Sequence, residues 1–535
     1  MTDRPWWKDG IVYQIYPRSF QDSNNDGIGD LPGILSRLDY IQSLGVDAIW
    51  LCPVNPSPDI DFGYDVSDYY AINPKFGSME DFDNLLSEVH HRNLHLILDL
   101  VLNHTSDQHP WFQESKKSKD NPYHDWYLWR DPAAKGGVPN NWQSWFAGKG
   151  WEYDQNLNQY YFHMFHKEQP DLNWRNAGVR AEMLNIFKFW LDRGVDGFRL
   201  DVFNEYFKDA EFRNNPRAKG YHLRAFFNYQ HIYDVSQPEM IPALQEIRAL
   251  IDRYENRYLV GETFLASPQQ ARGYIGPDRL HAGFDFSFLN SGFNAQDFRK
   301  AIAQWDGLHG EDAWPNYVLN NHDNPRSASR YTYDENDARL KLLAALLLTL
   351  RGTPFLYYGE EIGMRDIQVN PLMMQDMVGK RHWPWHSGRD GCRAPMQWHG
   401  GKNAGFSLAE PWLPVNADYV LRNVENQQQG RSSLLNFYKE LIELRKSSPP
   451  LYQGSLKLLS SAHETVLMYQ RQDGTDKFLV VLNFSNLRVT QLLPLQEGSA
   501  WKVCATGNEA ITSYLYEQTL TLPPYGLAIL KAVIC

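Results

Sequence analysis

Between residues 11 and about 360, short runs of β-branched and aromatic residues alternate with longer segments whose apolar positions recur at helical spacing. The expected strands are 11–17, 47–53, 94–101, 196–202, 257–263, 284–288, 316–321 and 354–358. Helical patterns lie between them, such as ILSRLDYIQSLG (34–45), which ends at a glycine stop, and MEDFDNLLSEVHHRN (79–93). Eight strands alternating with helices is the α/β pattern of a parallel (β/α)8 TIM barrel. Two stretches break the alternation. Residues 103–170 are rich in Trp, Asn, Asp, Gly and Pro and read as a loop-rich subdomain inserted after the third strand, whereas 364–430 is an irregular insertion after the eighth. Both are expected over the C-terminal end of the barrel, where barrel enzymes build their sites. From about 455 the period changes to two, in HETVLMYQ, KFLVVLNF and TLTLPPYGLAIL, which predicts a C-terminal antiparallel β-sandwich over 455–535. The barrel domain is then 1–102 together with 171–454.

Composition narrows this picture in three ways. Aromatics are abundant (18 Trp, 30 Tyr and 27 Phe), which suits sugar faces that stack on rings, although core packing accounts for most of them. The net charge of −12 comes without any basic tract and excludes a nucleic-acid surface. The longest apolar segment, LLAALLLTL (342–350), is too short to span a bilayer and reads as a buried helix. Four scattered cysteines (Cys52, Cys392, Cys504 and Cys535) and a start without a basic-then-apolar pattern point to a soluble, cytoplasmic protein.

Four stretches place polar groups at the ends of expected buried strands: DLVLNH (99–104), GFRLD (197–201), GET (261–263) and NNHD (320–323). Polar groups there are costly unless paired or used. Asp201 closes the fourth strand and Glu262 the fifth. Neighbouring strands lie about 4.8 Å apart, so these carboxyls can reach the roughly 5–5.5 Å separation of a retaining glycosidase. On that geometry Asp201 is the nucleophile candidate and Glu262 the acid/base candidate. A strand-end Asp or Glu equally serves as a helix cap or a salt-bridge partner, so neither residue alone decides. Arg199 shares a strand face with Asp201 and favours its ionised form, whereas Glu262 is expected to be buried away from cations and protonated.

The order and wording of the four stretches resemble the α-amylase family, glycoside hydrolase family 13, nearly end to end. The resemblance implies that GFRLD ends in the nucleophile (Asp201), that GET carries the acid/base (Glu262), and that NNHD carries a third carboxylate (Asp323) that steadies the transition state. It also implies that His104, His322 and Arg199 serve the sugar, with Asp99 as a support. DFGYDVSDY (61–69) and GRDGCRAPMQW (388–398) resemble the exo-acting α-glucosidase branch. There Tyr64 would stack under the glucose, and Asp61 and Arg393 would clamp its far end. Phe146, Phe165 and Gln169, the last from QPDLNW (169–174), are further candidate walls. Val202 resembles the residue of α-1,6-cleaving members that crowds the second sugar, so it is the specificity candidate.

DSNNDGIGD (22–30) has the spacing of the first nine positions of a calcium loop, with Asp22, Asn24, Asp26, the Ile28 carbonyl and Asp30 as donors. Gly33 stands at the twelfth position, so an EF-hand is excluded. An acidic turn with no metal is the competing reading. Oligo-1,6-glucosidase-like enzymes, which this loop resembles, carry a structural Ca2+ or Mg2+ there. No organic cofactor is expected. The expected partner is a short oligosaccharide or disaccharide, bound by a monomer or homodimer. Three activities fit the resemblance: an exo-α-glucosidase with a lean towards α-1,6 bonds, a transglucosylase or sucrose isomerase on the same machinery, and a non-catalytic amylase-like partner of a transporter. Retention of all three carboxylates argues against the last.

Overall fold

The computed structural model describes residues 4–284, 286–310, 313–332, 336–494, 499–507 and 513–534. Its central sheet has eight strands. In chain order they are β1 (Val12–Ile15), β2 (Ala48–Leu51), β3 (His95–Leu100), β4 (Gly197–Leu200), β5 (Tyr258–Gly261), β6 (Ala282–Gly283), β7 (Asn316–Val318) and β8 (Thr353–Tyr357). Their spatial order is β7-β8-β1-β2-β3-β4-β5-β6, and every pairing is parallel. Helices cover the outside, so the strands are buried on both faces and read as nearly unbroken apolar runs.

The local chemistry explains where the elements start and stop. The helix Met79–His91 opens on a capping box in which Ser78 and Asp81 satisfy each other's backbone N–H. The expected helix at 34–45 is two pieces, Leu31–Ser36 and Leu38–Leu44, interrupted at Arg37, and it stops at Gly45 with a φ of 85° that a side chain would resist. The apolar run near 342–350 lies in the helix Ala338–Thr349, whose described side chains are almost all buried. The sixth strand differs from expectation. It is Ala282–Gly283, ahead of 284–288, and Phe286–Leu289 forms a helical turn, while Asp285 lies outside the described residues. The alternating phenylalanines mimic strand spacing, but Phe288 and Leu289 are buried from the helical turn.

Between β3 and β4 the chain builds a three-stranded antiparallel sheet (Trp129–Arg130, Trp151–Asp154, Gln159–Phe162). After residue 454, a six-stranded and a two-stranded sheet, both antiparallel, enclose a separate apolar cluster around Met468, Leu479, Trp501 and Leu530. Among the described residues no helix is long and apolar enough to cross a membrane.

Candidate active site

The site begins at three neighbouring strand ends. Asp99 in β3 lies directly across the ladder from Arg199 in β4. Asp201 and Glu262 follow β4 and β5 immediately, and the last residues of those strands, Leu200 and Gly261, are register partners. The two carboxyls therefore leave adjacent strands at the same level. Arg199 is fully buried beneath them. Its Nη1 donates to Asp99 Oδ1 at 2.8 Å and to Asp201 Oδ1 at 2.6 Å, and its Nη2 donates to Glu262.

Glu262 is thus not isolated from cations, as its sequence context suggested. Its carboxyl nevertheless stays well above the usual range. Burial is the main cause, opposed by Arg199 and reinforced by the charges of Asp201, Asp323 and Asp99. Asp99 is likewise raised, to about 7, by burial against the pull of Arg199. One guanidinium serves three buried carboxyls, so they cannot all ionise without mutual repulsion.

The facing side of the site comes from loops. Asp323, beyond β7, accepts from Arg393 Nη2 at 2.9 Å and lies 2.9 Å from His322 Nε2 and 3.4 Å from Arg389 Nη1. Burial would raise its pKa, but His322, Arg393 and Arg389 together hold it well below the usual carboxylate range. His322 is itself kept towards the neutral form by burial. Its Nδ1 is 2.8 Å from the Gln14 amide nitrogen, which leaves the ring proton on Nε2, facing Asp323 and the Tyr64 hydroxyl at 2.6 Å. Tyr64 stacks on His322 with ring centroids 5.3 Å apart and donates to Asp99 Oδ2 at 2.9 Å, joining the two sides. Asp61 accepts from Arg389 Nη2 at 2.6 Å, and Asp376 from the same nitrogen at 2.9 Å.

These groups surround a cavity of about 410 Å³. Of the residues singled out from sequence, Asp61, Tyr64, His104, Phe146, Phe165, Asp201, Val202, Glu262 and Asp323 line it. Arg199, His322, Gln169 and Arg393 stand behind the wall and hold its members. Gln169 donates to Asp61 Oδ2 at 3.2 Å, and Arg393 donates to the His322 carbonyl at 2.8 Å besides pairing with Asp323. The arginine on the wall is Arg389, four residues earlier in the same motif. Both arginines sit in GRDGCRAPMQW, and spacing alone gives no way to choose between them. Trp145, Arg224, Phe264 and His386 also line the cavity, on loops whose periodicity carries no signal. Val202 adopts a φ of 32°, a strained left-handed conformation for a β-branched residue, beside Asp201.

The fully buried Lys208 donates to Asn103 Oδ1 at 2.7 Å at the start of the inserted segment, to Asp171 just beyond its end and to the Glu205 carbonyl. This ammonium ties the loop after β4 to both ends of the insertion. The loop 22–30 closes on its own donors. Asp22 Oδ1 accepts from the N–H groups of Asn24 (3.0 Å) and Asn25 (2.7 Å), and Oδ2 from Gly27 N–H (2.8 Å) and Ser407 Oγ (2.6 Å). Asp26 Oδ1 accepts from Ile28 N–H at 2.8 Å, and Asp30 caps the following helix through Gly33 N–H. Among the described residues no group of three or more His, Cys, Asp or Glu side chains is disposed to hold a metal ion.

Residues 456–529 match the family model of the maltogenic amylase C-terminal domain. The chain is 41% identical over 527 residues to an oligo-1,6-glucosidase from Parageobacillus thermoglucosidasius, covering 92% of each chain. It is 39% identical over 540 residues to a probable alpha-glucosidase from Rhizobium meliloti (strain 1021), covering 98% of this chain and 96% of the relative. Among solved structures, an alpha-glucosyl transfer enzyme superposes with a TM-score of 0.94 at 38% identity, over 99% of this chain and 100% of that one. Residues 14–454 match the model of the alpha-amylase catalytic domain, and a chain matched over that length, with its acids at the expected strand ends, belongs to the α-amylase family of glycoside hydrolases.

Proposed function

We propose that this protein is a retaining exo-α-glucosidase that releases glucose from the non-reducing end of short α-glucosides. The observation that carries the reading is the pair Asp201 and Glu262, level on adjacent strands and held by one guanidinium, with the proton kept on Glu262. In the first step an Asp201 oxygen attacks the anomeric carbon while Glu262 gives its proton to the departing oxygen, leaving a glucosyl ester on Asp201. In the second, Glu262, now a carboxylate, takes a proton from water, whose oxygen attacks the same carbon and releases Asp201. Asp323, held ionised, orients the sugar hydroxyls and balances the positive charge that develops on the ring. Tyr64 offers a stacking face beneath the glucose, and the Asp61–Arg389 pair bounds its far end.

A lean towards α-1,6 bonds draws support from the crowding Val202 and from the names of the oligo-1,6-glucosidase relatives. Initial rates on maltose, isomaltose, kojibiose, nigerose, sucrose, trehalose and soluble starch test both points. Rapid endo-type cleavage of starch would sink the exo reading. A second reading, glucosyl transfer, is supported by the likeness to the alpha-glucosyl transfer enzyme. Oligosaccharides or isomers replacing free glucose at high maltose or sucrose would favour it.

Three further parts complete the proposal. A structural Ca2+ or Mg2+ would sit at loop 22–30, on the side facing the exposed Asn24 and Asp26, since Asp22 and Asp30 already accept protein donors. Removing it with a chelator should lower the melting midpoint by about 2 °C or more, and an unchanged midpoint would leave the loop as a plain acidic turn. Action in the cytoplasm is supported by Cys52, Cys392 and Cys504, which are free thiols. The assembly state, monomer or homodimer, is open to sedimentation.

A further inference from the structure

The cations behind and around the glucose end of the cavity all have acids. Arg199 serves Asp99, Asp201 and Glu262, Arg389 serves Asp61, Asp376 and Asp323, and Arg393 serves Asp323. Arg224 also lines the cavity, yet among the described residues no carboxylate lies within ion-pair distance of it. Its guanidinium is fixed nonetheless. Nη2 donates to the Trp145 carbonyl, and the guanidinium carbon lies 4.7 Å from the Trp145 ring centroid and 5.1 Å from that of Phe227. The Trp145 ring in turn packs edge-on against Phe264 at 4.8 Å. Phe264 follows Glu262 by two residues, so Arg224 is joined through Trp145 to the segment that carries the acid.

His386 lines the same cavity. Its Nδ1 accepts the Gly388 N–H at 3.0 Å, which leaves the ring proton on Nε2. Burial, and after it the Arg224 charge, lowers its pKa against the pull of Asp376, with His382 and Arg389 acting in the same direction as Arg224, so the ring remains a neutral donor. Arg224 offers donors only, and the imidazole presents its remaining N–H. The acids that could repel an anion nearby are already engaged, Asp201 and Glu262 with Arg199, and Asp61, Asp323 and Asp376 (the last acting on His386) with Arg389. A neutral sugar ring asks for acceptors as well as donors. A rigid, unpaired guanidinium matches an oxyanion instead.

We propose that Arg224, assisted by His386, makes the leaving-group side of the cavity a recognition site for anionic aglycones, that is, for α-glucosides whose second moiety carries a carboxylate or a phosphate. The inference rests on the α-glucosidase reading above.

Three matched substrates of the preferred linkage test it: α-glucosyl sorbitol (neutral), α-glucosyl gluconate (carboxylate) and α-glucosyl sorbitol phosphate. At low salt, kcat/KM for at least one anionic substrate should exceed that of the neutral one by about tenfold. The excess should shrink in about 0.5 M NaCl, and whichever anion shows it identifies the oxyanion. In Arg224→Gln the anionic-to-neutral ratio should fall close to one, and Arg224→Lys should restore part of it. Wild-type ratios near one overturn the proposal while the glucosidase reading stands. A preference that survives Arg224→Gln in a variant with native melting overturns it as well. Failure to cleave even the neutral substrate and an aryl α-glucoside overturns the underlying reading, and the proposal with it.

Discussion

The two sides of the cavity hold similar acids in opposite electrostatic states. On the strand side, Asp99, Asp201 and Glu262 share Arg199 alone. On the loop side, Asp61, Asp323 and Asp376 share Arg389 and Arg393. The first set is one cation poorer, and there burial prevails, so Glu262 holds its proton and Asp99 titrates near 7. On the second, the added guanidinium and the His322 N–H outweigh burial, and Asp323 stays ionised. Both sides are formed from the same residue types, so cation stoichiometry, together with the greater exposure of Asp323, divides acid from base.

Breaking the strand side should have the largest effect. Asp201→Asn removes the attacking oxygen and should lower kcat on an aryl α-glucoside by roughly six orders of magnitude, by analogy with loss of a nucleophile elsewhere. Its side effect sharpens the comparison. The Asp201 charge helps keep Glu262 protonated, so the alkaline limb of any residual activity should move to lower pH. An unmoved limb in the residual activity would uncouple the two carboxyls. Glu262→Gln should lower kcat by roughly 10²- to 10⁴-fold, and less for aryl substrates whose leaving group needs no proton. Equal losses on aryl and sugar leaving groups would argue against its acid role.

Breaking the loop side should act on binding more than on chemistry. Arg389→Gln leaves Asp61 and Asp376 without their guanidinium, and a broken buried ion pair costs roughly 3–5 kcal/mol. Part of that should appear as a rise in KM for glucosides and part as a lower melting midpoint. Arg393→Gln touches Asp323 but not Asp61, so it should move kcat relatively more than KM. If Arg393→Gln raised KM more than Arg389→Gln, the far-end clamp would belong to Arg393 after all.

The same contrast decides what was legible in the chain. Asp201, Glu262 and their register follow from strand ends, because a buried parallel strand announces itself as an apolar run and fixes the direction of the next residue. The sixth strand was misplaced because Phe284, Phe286 and Phe288 satisfy strand spacing while part of the segment folds as a helical turn. Arg389 and Arg224 were missed for another reason. Each lies on an irregular loop, where position is set by long-range partners such as Asp376, Asp61 and Trp145, and no local period encodes those. The pairing of Glu262 with Arg199 was hidden for the same cause in milder form. Alternation placed Arg199 on the face of Asp201, and the reach of its second nitrogen to the next strand only appears in three dimensions.

The smallest expected effect is thermodynamic, and it separates the two sides by sign. Asp99 titrates near 7 in the folded protein and near 3.8 as an ordinary carboxyl. Its folded form binds the proton more tightly, so its contribution to stability is complete below about pH 4 and is lost as pH rises towards 7. Asp323 is shifted downward. Its contribution is present above about pH 4 and is lost as pH falls through its folded value. Denaturant midpoints across pH 3 to 8 should therefore respond in opposite directions to Asp99→Asn and Asp323→Asn. The first should flatten the decline between about pH 4 and 7, by at least about 1.4 kcal/mol, which is one pKa unit. The second should flatten the loss below about pH 4. If both variants changed the same limb, the proton on the strand side would not be held by a shortage of cations, and the division of acid from base across the cavity would need another cause.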